Sequence, residues 1–342
     1  MSPPPAAAAA PALADSARLF VPVTSEAHEA LLRRNAFLAV VLAALCIGFS
    51  AIFVRLSDVG PAAIGFWRLV FALGPTVIWA YAEQRAARAR RRAAGDARSV
   101  PLFTARQFLL ASLAGAFFAA DLISFHVGLA HTTTANALLL ANLAVVIVMI
   151  LGWAILGERP TRGLIGALVL ALIGTALIIS SSATPRAGTS ASVFGDMICI
   201  AAAVCYASYM LATRLLRRGG EHAASALGGG MASVIICVVG AALCLVWALA
   251  TGEVIMPRSP QGLMAVIGLG LVAHAAGQGL TTFALGRLPA GLISIVLLLQ
   301  IVVGATLAAF LFGEIPSLMV MVGGLMVVAG VVVARPPRAR PS

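Results

Sequence analysis

The stretch Leu129–Gly174, LAHTTTANALLLANLAVVIVMILGWAILGERPTRGLIGALVLALIG, decides how this chain folds, because its pattern recurs at Leu285–Gly330. Each copy consists of a long apolar run, a short Gly-Glu break and a second apolar run. The Gly157–Pro160 break corresponds to Gly313–Pro316 at a constant offset. The recurrence predicts two related halves, each of which ends in the same pair of helices.

A weaker match relates the first apolar run of the chain to the run that begins the second half. Two homologous halves, each with an odd number of membrane spans, would lie upside down relative to one another. That arrangement is typical of secondary transporters. The residues that match are Ala43, Ala44, Cys46, Arg55 and Leu56 in the first run and Ala202, Ala203, Cys205, Arg214 and Leu215 in the second.

The composition indicates a polytopic membrane protein. The 342 residues are 61% hydrophobic and 10% charged, with a mean hydropathy of +1.03, whereas a soluble domain carries about 25% charged residues. We therefore predict an all-α membrane protein with ten transmembrane helices, arranged as two inverted five-helix repeats. The predicted spans are Asn35–Val54, Pro61–Tyr81, Gln107–Leu129, Thr133–Leu156, Thr161–Ser180, Val193–Ala212, Leu227–Ala250, Gly262–Leu285, Ala290–Phe312 and Ser317–Ala334.

The remaining segments are short. The Ala/Pro-rich start of the chain has no charged region before its first apolar run, so we expect disorder there and no signal peptide. The predicted organisation is a cytoplasmic extension at 1–34, a first five-helix repeat at 35–180, a linker at 181–192, a second five-helix repeat at 193–334 and a cytoplasmic tail at 335–342.

All basic residues are arginines, and their distribution predicts the orientation. With the amino terminus inside, 19 of the 23 arginines lie on the cytoplasmic side, so the positive-inside rule places both termini in the cytoplasm. The run Arg85–Arg92 lies between two spans on that side. We expect it to contact anionic lipid and to determine topology, and we expect no nucleic-acid partner.

Several classes of enzyme are excluded by missing motifs. A chain without lysine has no phosphate-binding loop of the GxxxxGK[ST] type, and HExxH, CxxC and GxSxG motifs are also missing. The five cysteines all lie within spans and are expected to be packing residues. We therefore predict no catalytic residue, no cofactor and no metal site.

Two charged side chains lie inside predicted spans at matching depth. Arg68 is about 10 Å and Asp121 about 12 Å below the outer surface, at 1.5 Å per residue. Neither would stay charged alone at that depth, so we predict an ion pair. The pair is either purely structural or a gate that contacts the substrate, and the sequence favours neither alternative.

Uncharged polar groups also lie within the spans. Asn142 and Gln300 are predicted near the midplane of corresponding helices, where amides suit a zwitterionic or polar substrate. His274 and Gln278 lie four residues apart on one helix face. The alternative for each of these groups is a hydrogen bond between helices, which contributes about 0.6 kcal/mol on average.

Aromatic side chains are candidates for the wall of a cavity, with core packing as the alternative. Trp67 and Tyr206 complete the set of predicted substrate-binding residues. Glu158 and Glu314 end corresponding helices at opposite surfaces, so we interpret them as loop-forming residues and not as substrate ligands.

With these features, the chain resembles the EamA-type members of the drug/metabolite transporter superfamily. The resemblance extends over 35–334 and is carried by five short segments and the paired Gly-Glu breaks. It implies a bacterial inner-membrane protein with a midplane cavity between the halves, which exports small metabolites such as amino acids without ATP. The segments are FVRLSDVGP (Phe53–Pro61), FWR (Phe66–Arg68), DLISFH (Asp121–His126), TTANALLLANLA (Thr133–Ala144) and LLLQ (Leu297–Gln300).

The chain departs from the family at two corresponding positions. The family usually has proline directly after ANLA and after LLLQ, whereas this chain has Val145 and Ile301. Proline frees a backbone carbonyl and kinks a helix. Its absence therefore predicts straighter fourth and ninth helices.

The favoured function is that of a secondary exporter of a small metabolite that works by alternating access. Two alternatives stay open: a non-transporting sensor or assembly protein that keeps the transporter fold, and a lipid scramblase or channel. The missing large soluble domain disfavours a sensor. The sequence does not distinguish a monomer from a homodimer.

Overall fold

The computed structural model describes residues 23–93, 103–182, 192–218, 227–313 and 316–334. Most of the predicted amino-terminal extension, most of the linker, Glu314 and the carboxy-terminal tail lie outside these residues. The described part contains helices and turns but no β-strand. Its α-helices are α1 (Val23–Gly48), α2 (Ser50–Leu56), α3 (Pro61–Ala93), α4 (Ala105–His131), α5 (Thr134–Asn142), α6 (Ala144–Leu156), α7 (Arg162–Ser182), α8 (Val193–Arg217), α9 (Gly229–Ala250), α10 (Pro260–Gly268), α11 (Gly279–Leu285), α12 (Ala290–Leu297), α13 (Leu299–Phe312) and α14 (Leu318–Val333), with a π-helical segment, Leu269–Gln278, between α10 and α11.

These helices form ten apolar spans in the described ranges, which confirms the predicted fold class. Nine are long enough to cross a bilayer. The tenth, α14, has 16 residues and a length of about 24 Å, which a locally thinned bilayer accommodates. In chain order the spans are α1 with α2, α3, α4, α5 with α6, α7, α8, α9, α10 through α11, α12 with α13, and α14.

Contacts between the halves have counterparts when the halves are exchanged. Span 3 packs against span 6, and its counterpart, span 8, packs against span 1. Spans 1 and 9 pack together, as do their counterparts 6 and 4. Spans 2 and 7 pack against each other, and so do spans 5 and 10. This reciprocal pattern is expected of two repeats related by a two-fold pseudosymmetry.

Two glutamates cap helices in the opposite half, and this pairing is also reciprocal. The Glu253 carboxylate, after span 7, accepts hydrogen bonds from the amides of Ala62 (2.8 Å) and Ala63 (3.1 Å) at the start of span 2. Glu83, near the end of the apolar part of span 2, accepts from the amides of Gly229 (3.2 Å) and Gly230 (2.9 Å) at the start of span 7. Each carboxylate satisfies helix-terminal donors that would otherwise lack partners.

Spans 5 and 10 pack closely because glycines face each other. A Cβ atom at Gly174 would lie 2.5 Å from the carbonyl oxygen of Gly323, and a Cβ atom at Gly323 would lie 2.5 Å from that of Gly174. Small residues of this kind allow membrane helices to pack through their backbones. These two spans therefore form a closely packed pair.

The fourth and ninth helices, for which straighter courses were predicted, are each interrupted by one tight turn. Regular hydrogen bonding is interrupted at Leu143, whose amide bonds to Leu140 O at 3.1 Å, and at Leu298, whose amide bonds to Ile295 O at 3.1 Å. A similar interruption follows Gly48 in span 1. The tighter i→i+3 turn breaks the ladder without a proline, and such turns often mark hinges. The interruptions therefore occur next to Val145 and Ile301 although neither position holds proline.

Candidate functional site

A cavity of about 690 Å³ lies between the two halves. Its walls come from spans 1, 3, 4, 5, 6, 9 and 10, and all three helix interruptions border it. Most of the lining is aliphatic. The polar side chains that line it are Ser50, Asp121, Asn142, Ser181, Tyr206, Ser294, Gln300 and Ser317.

Four predicted site residues lie together in this cavity. Asp121 and Tyr206 come from spans 3 and 6, and Asn142 and Gln300 come from the interrupted spans 4 and 9. The Asn142 amide nitrogen donates to Leu138 O at 2.7 Å, which fixes the amide and leaves its oxygen as an acceptor. The cavity therefore offers one carboxyl, one phenol and two amides against an apolar wall.

Two other predicted residues lie behind this wall and do not line the cavity. His274 and Gln278 are each only 4% exposed and belong to the π-helical segment. Gln278 accepts from the Tyr209 hydroxyl at 3.5 Å, and His274 Nε2 lies 3.4 Å from Cys237 Sγ. This cluster adjoins the cavity through Tyr206, whose ring centroid lies 5.8 Å from that of Tyr209.

Trp67 lies outside the cavity as well. Its indole nitrogen donates to Ile255 O at 2.7 Å, and its ring stacks on Phe71 with centroids 5.3 Å apart. The hydrogen bond attaches span 2 to the loop after span 7. Packing and loop attachment therefore account for this side chain in the described conformation.

Arg68 and Asp121 do not form the predicted direct ion pair. Among the described residues, neither belongs to a salt bridge with an N–O distance of 4.0 Å or less. Arg68 instead lies over the Phe118 ring, with Cζ 5.5 Å from the centroid, and its buried Nε lacks a hydrogen-bond partner. Arg68 therefore lies close enough to interact with Asp121 electrostatically, but without the direct contact that was predicted.

The cavity opens toward one face of the bundle. Ser181, near the end of α7, and Ser317, directly before α14, both line it, and their hydroxyls contact each other. Phe125 and Leu138, on either side of the turn between α4 and α5, line the same end. This open end is therefore the face that carries the turns after α4, α7 and α13.

The opposite end is closed by a polar latch that joins the halves. Glu158 Oε1 accepts from Arg214 Nε at 2.8 Å, and Glu158 Oε2 accepts from the amide of Ala290 at 3.0 Å. Arg214 also donates from Nη1 to Leu285 O at 2.6 Å. The Glu158 and Arg214 side chains are only 14% and 11% exposed. Below the latch, every residue of α12 is buried.

This latch was not predicted from the sequence, because Glu158 was interpreted as a loop-forming residue at the surface. Gly157 forms the loop, since it ends α6 with φ +69°, a conformation that favours glycine. A signal was present: Glu158 and Arg214 both belong to the residues that recur between the halves. The four cavity serines were also missed, because serine is common in membrane helices.

Metal and cofactor sites have no structural support in the described residues. No group of three or more His, Cys, Asp or Glu side chains in that part of the chain could hold a metal ion. The five cysteines are unpaired.

Comparisons with known proteins agree with this architecture. Residues 34–180 and 193–335 each match the EamA-like transporter family. The "Uncharacterized transporter YwfM" of Bacillus subtilis (strain 168) is 28% identical over 189 residues, which are 55% of this chain and 60% of that protein. A solved structure described only as "Crystal structure of protein" has a TM-score of 0.68 at 20% identity, covering 87% of this chain and 96% of the other, and shows a shared fold.

Proposed function

Because the chain belongs to the EamA-like transporter family, we propose that it is a secondary transporter that exports a small metabolite by alternating access. Amino acids are the first class of substrate to consider. Membership of a transporter family implies a non-enzymatic role. The two halves would move relative to each other around the cavity, and the cavity would face each side of the membrane in turn.

The observation that supports this proposal most is the asymmetry of the cavity. One end is open at Ser181 and Ser317, while the other is closed by the Glu158–Arg214 latch. A channel has a continuous path, whereas a carrier in one of its states has a cavity with a single opening. The latch joins residues of opposite halves, so motion of one half relative to the other would break it.

The arginine distribution assigns the open end to the outside. With both termini in the cytoplasm, as we propose from that distribution, the latch would lie at the inner face and the cavity would face outward. Residues Arg85 to Arg92 continue α3 beyond the apolar part of span 2. They would contact anionic lipid headgroups at the inner leaflet of a bacterial inner membrane.

Counterflow in proteoliposomes tests the transporter proposal. Vesicles containing the purified chain are loaded with one unlabelled metabolite, and uptake of the labelled form is followed for a panel of metabolites. A carrier gives transient accumulation above equilibrium for at least one member, while a channel gives equilibration only. Equilibration without overshoot would contradict a carrier, and no uptake across the panel would favour a non-transporting protein.

A further inference from the structure

We propose that the cavity recognises an organic cation, a protonated amine on an apolar body, through the carboxylate of Asp121. This inference rests on the proposed function, because it assumes that the cavity is the substrate site. It narrows the substrate from amino acids in general to amines that carry no carboxylate.

The described cavity lining has charge of only one sign. Asp121 is the only charged side chain among the described residues that line the cavity, and no arginine or histidine reaches its surface. A solute that enters a largely apolar, partly enclosed space must lose water, and its charge then needs an opposite charge. Among charged solutes, only a cation would meet an opposite charge in the described lining.

Asp121 is available to such a ligand. Within the described part of the chain, its carboxylate has no hydrogen-bond donor and no salt-bridge partner. Arg68 interacts with Asp121 electrostatically but makes no direct contact with it. It lies over Phe118 and does not line the cavity. A carboxylate can accept several hydrogen bonds, and an ammonium group supplies up to three donors. The ligand would therefore complete a set of contacts that the protein leaves open.

The rest of the lining suits the remainder of an amine. Phe125, four residues after Asp121 on α4, and Tyr206 provide aromatic surface beside the carboxylate, and aromatic rings attract cations. Residues such as Ile47, Val145 and Ile301 provide an apolar wall for a hydrocarbon body. The amides of Asn142 and Gln300 would accept or donate hydrogen bonds without adding charge.

A carboxylate on the ligand would be unfavourable in the same space. It would lie in a cavity that already contains Asp121, and no basic side chain of the described lining would compensate it. Hydroxyls and amides of the lining could donate hydrogen bonds to that carboxylate, but they carry no positive charge to offset its charge beside Asp121. The structure therefore favours an amine over the corresponding amino acid, and the amino acid over the corresponding acid.

Three ligands with one aromatic body test this order on the unmodified protein. Titration calorimetry in detergent compares 2-phenylethylamine, L-phenylalanine and 3-phenylpropionate, which differ in charge but share a phenyl ring and a short chain. We expect the amine to bind at least about tenfold more tightly than phenylalanine, because both supply the ammonium group but only phenylalanine adds a carboxylate that finds no basic partner. We expect the acid to show no binding. Phenylalanine binding as tightly as the amine, or tighter acid binding, would overturn the inference.

Variants locate the site. Asp121→Asn should weaken amine binding by at least about tenfold, whereas Glu29→Gln, which removes an exposed carboxylate on α1, should leave it unchanged. Arg68→Gln should tighten amine binding, because it removes a buried positive charge near the site. If the amine binds equally well to the Asp121→Asn variant, the carboxylate is not the recognition group.

The binding measurements and the counterflow assay test separate proposals, so one proposal can be contradicted while the other stands. Amine binding without counterflow of any solute would leave this inference standing and contradict the proposed transport. Counterflow of an acidic or zwitterionic metabolite, together with no amine binding, would contradict this inference and leave the transporter proposal intact.

Discussion

Replacing Glu158 with glutamine should open the closed end of the cavity more often. The substitution keeps the shape of the side chain but removes the charge that pairs with Arg214 at 2.8 Å. Exposed pairs contribute about 0–1 kcal/mol, and breaking a fully buried pair costs about 3–5 kcal/mol. With 14% and 11% exposure, this pair lies between these limits, so we assign the latch about 2 kcal/mol.

That energy should appear as a population shift. If the latch forms only in the outward-facing state, its loss changes the ratio of the two states by about 30-fold. Ser294 reports on the change, because it lines the cavity and is 2% exposed near the closed end. A Ser294→Cys variant is labelled with an impermeant maleimide in inside-out vesicles, and modification at residue 294 is quantified by mass spectrometry.

We expect the labelling rate at residue 294 to rise by at least about tenfold when Glu158→Gln is added. Glu29→Gln is the matched control, since it removes an exposed pair with Arg33, 3.8 Å apart with side chains 70% and 66% exposed, which contributes little. An unchanged rate in the Glu158→Gln protein at normal abundance would refute the latch.

Three further predictions concern the scaffold. Val145→Pro, in the first turn of α6, should leave the thermal unfolding midpoint in detergent nearly unchanged. Val148→Pro, in the buried interior of α6, should lower this midpoint, because it costs about 3 kcal/mol of stability. Equal losses in the two variants would contradict the assigned helix break. Gly174→Ala should cost about 1–3 kcal/mol in the same assay, because its Cβ atom would lie 2.5 Å from a backbone oxygen of α14, while Gly166→Ala, with no atom within 4 Å, should be neutral. The pKa of Asp58, in the loop between α2 and α3, is lowered by hydrogen bonds from the Ser259 side chain and from the Arg258 and Ser259 backbone, in the loop between α9 and α10. The ionised Asp58 carboxylate therefore stabilises the loop above the ordinary aspartate pKa, and this stabilisation is lost as pH falls through the lowered pKa. Amide exchange in that loop, corrected for the intrinsic exchange rate, should rise at acid pH in the unmodified protein. The Asp58→Asn variant should lose this pH dependence.

The spans and the repeat were predictable because both depend on hydrophobicity along the chain. A run of about 20 apolar residues crosses the bilayer whatever it packs against. The helix interruptions at Leu143 and Leu298 were not predicted, because the sequence argument relied on proline alone. Tertiary packing can maintain a tight turn at residues that favour regular helix.

The candidate site was partly predictable for a similar reason. Depth follows from residue count, which correctly brought Asp121, Asn142 and Gln300 to one cavity. The direction of a side chain around its helix does not follow from depth, so Arg68 and Trp67 were expected at the cavity but contact Phe118 and a loop instead. The Glu158 latch depends on a partner in the other half, which only the folded chain brings near.

The most direct test of alternating access is transport with the latch held shut. Glu158→Cys and Arg214→Cys are combined, joined by a short reducible cross-linker, and assayed by counterflow with a metabolite that the unmodified protein transports. The account predicts that cross-linking abolishes counterflow and that reduction restores it, while either single variant treated in the same way keeps transporting. Undiminished counterflow in the fully cross-linked protein would contradict the account.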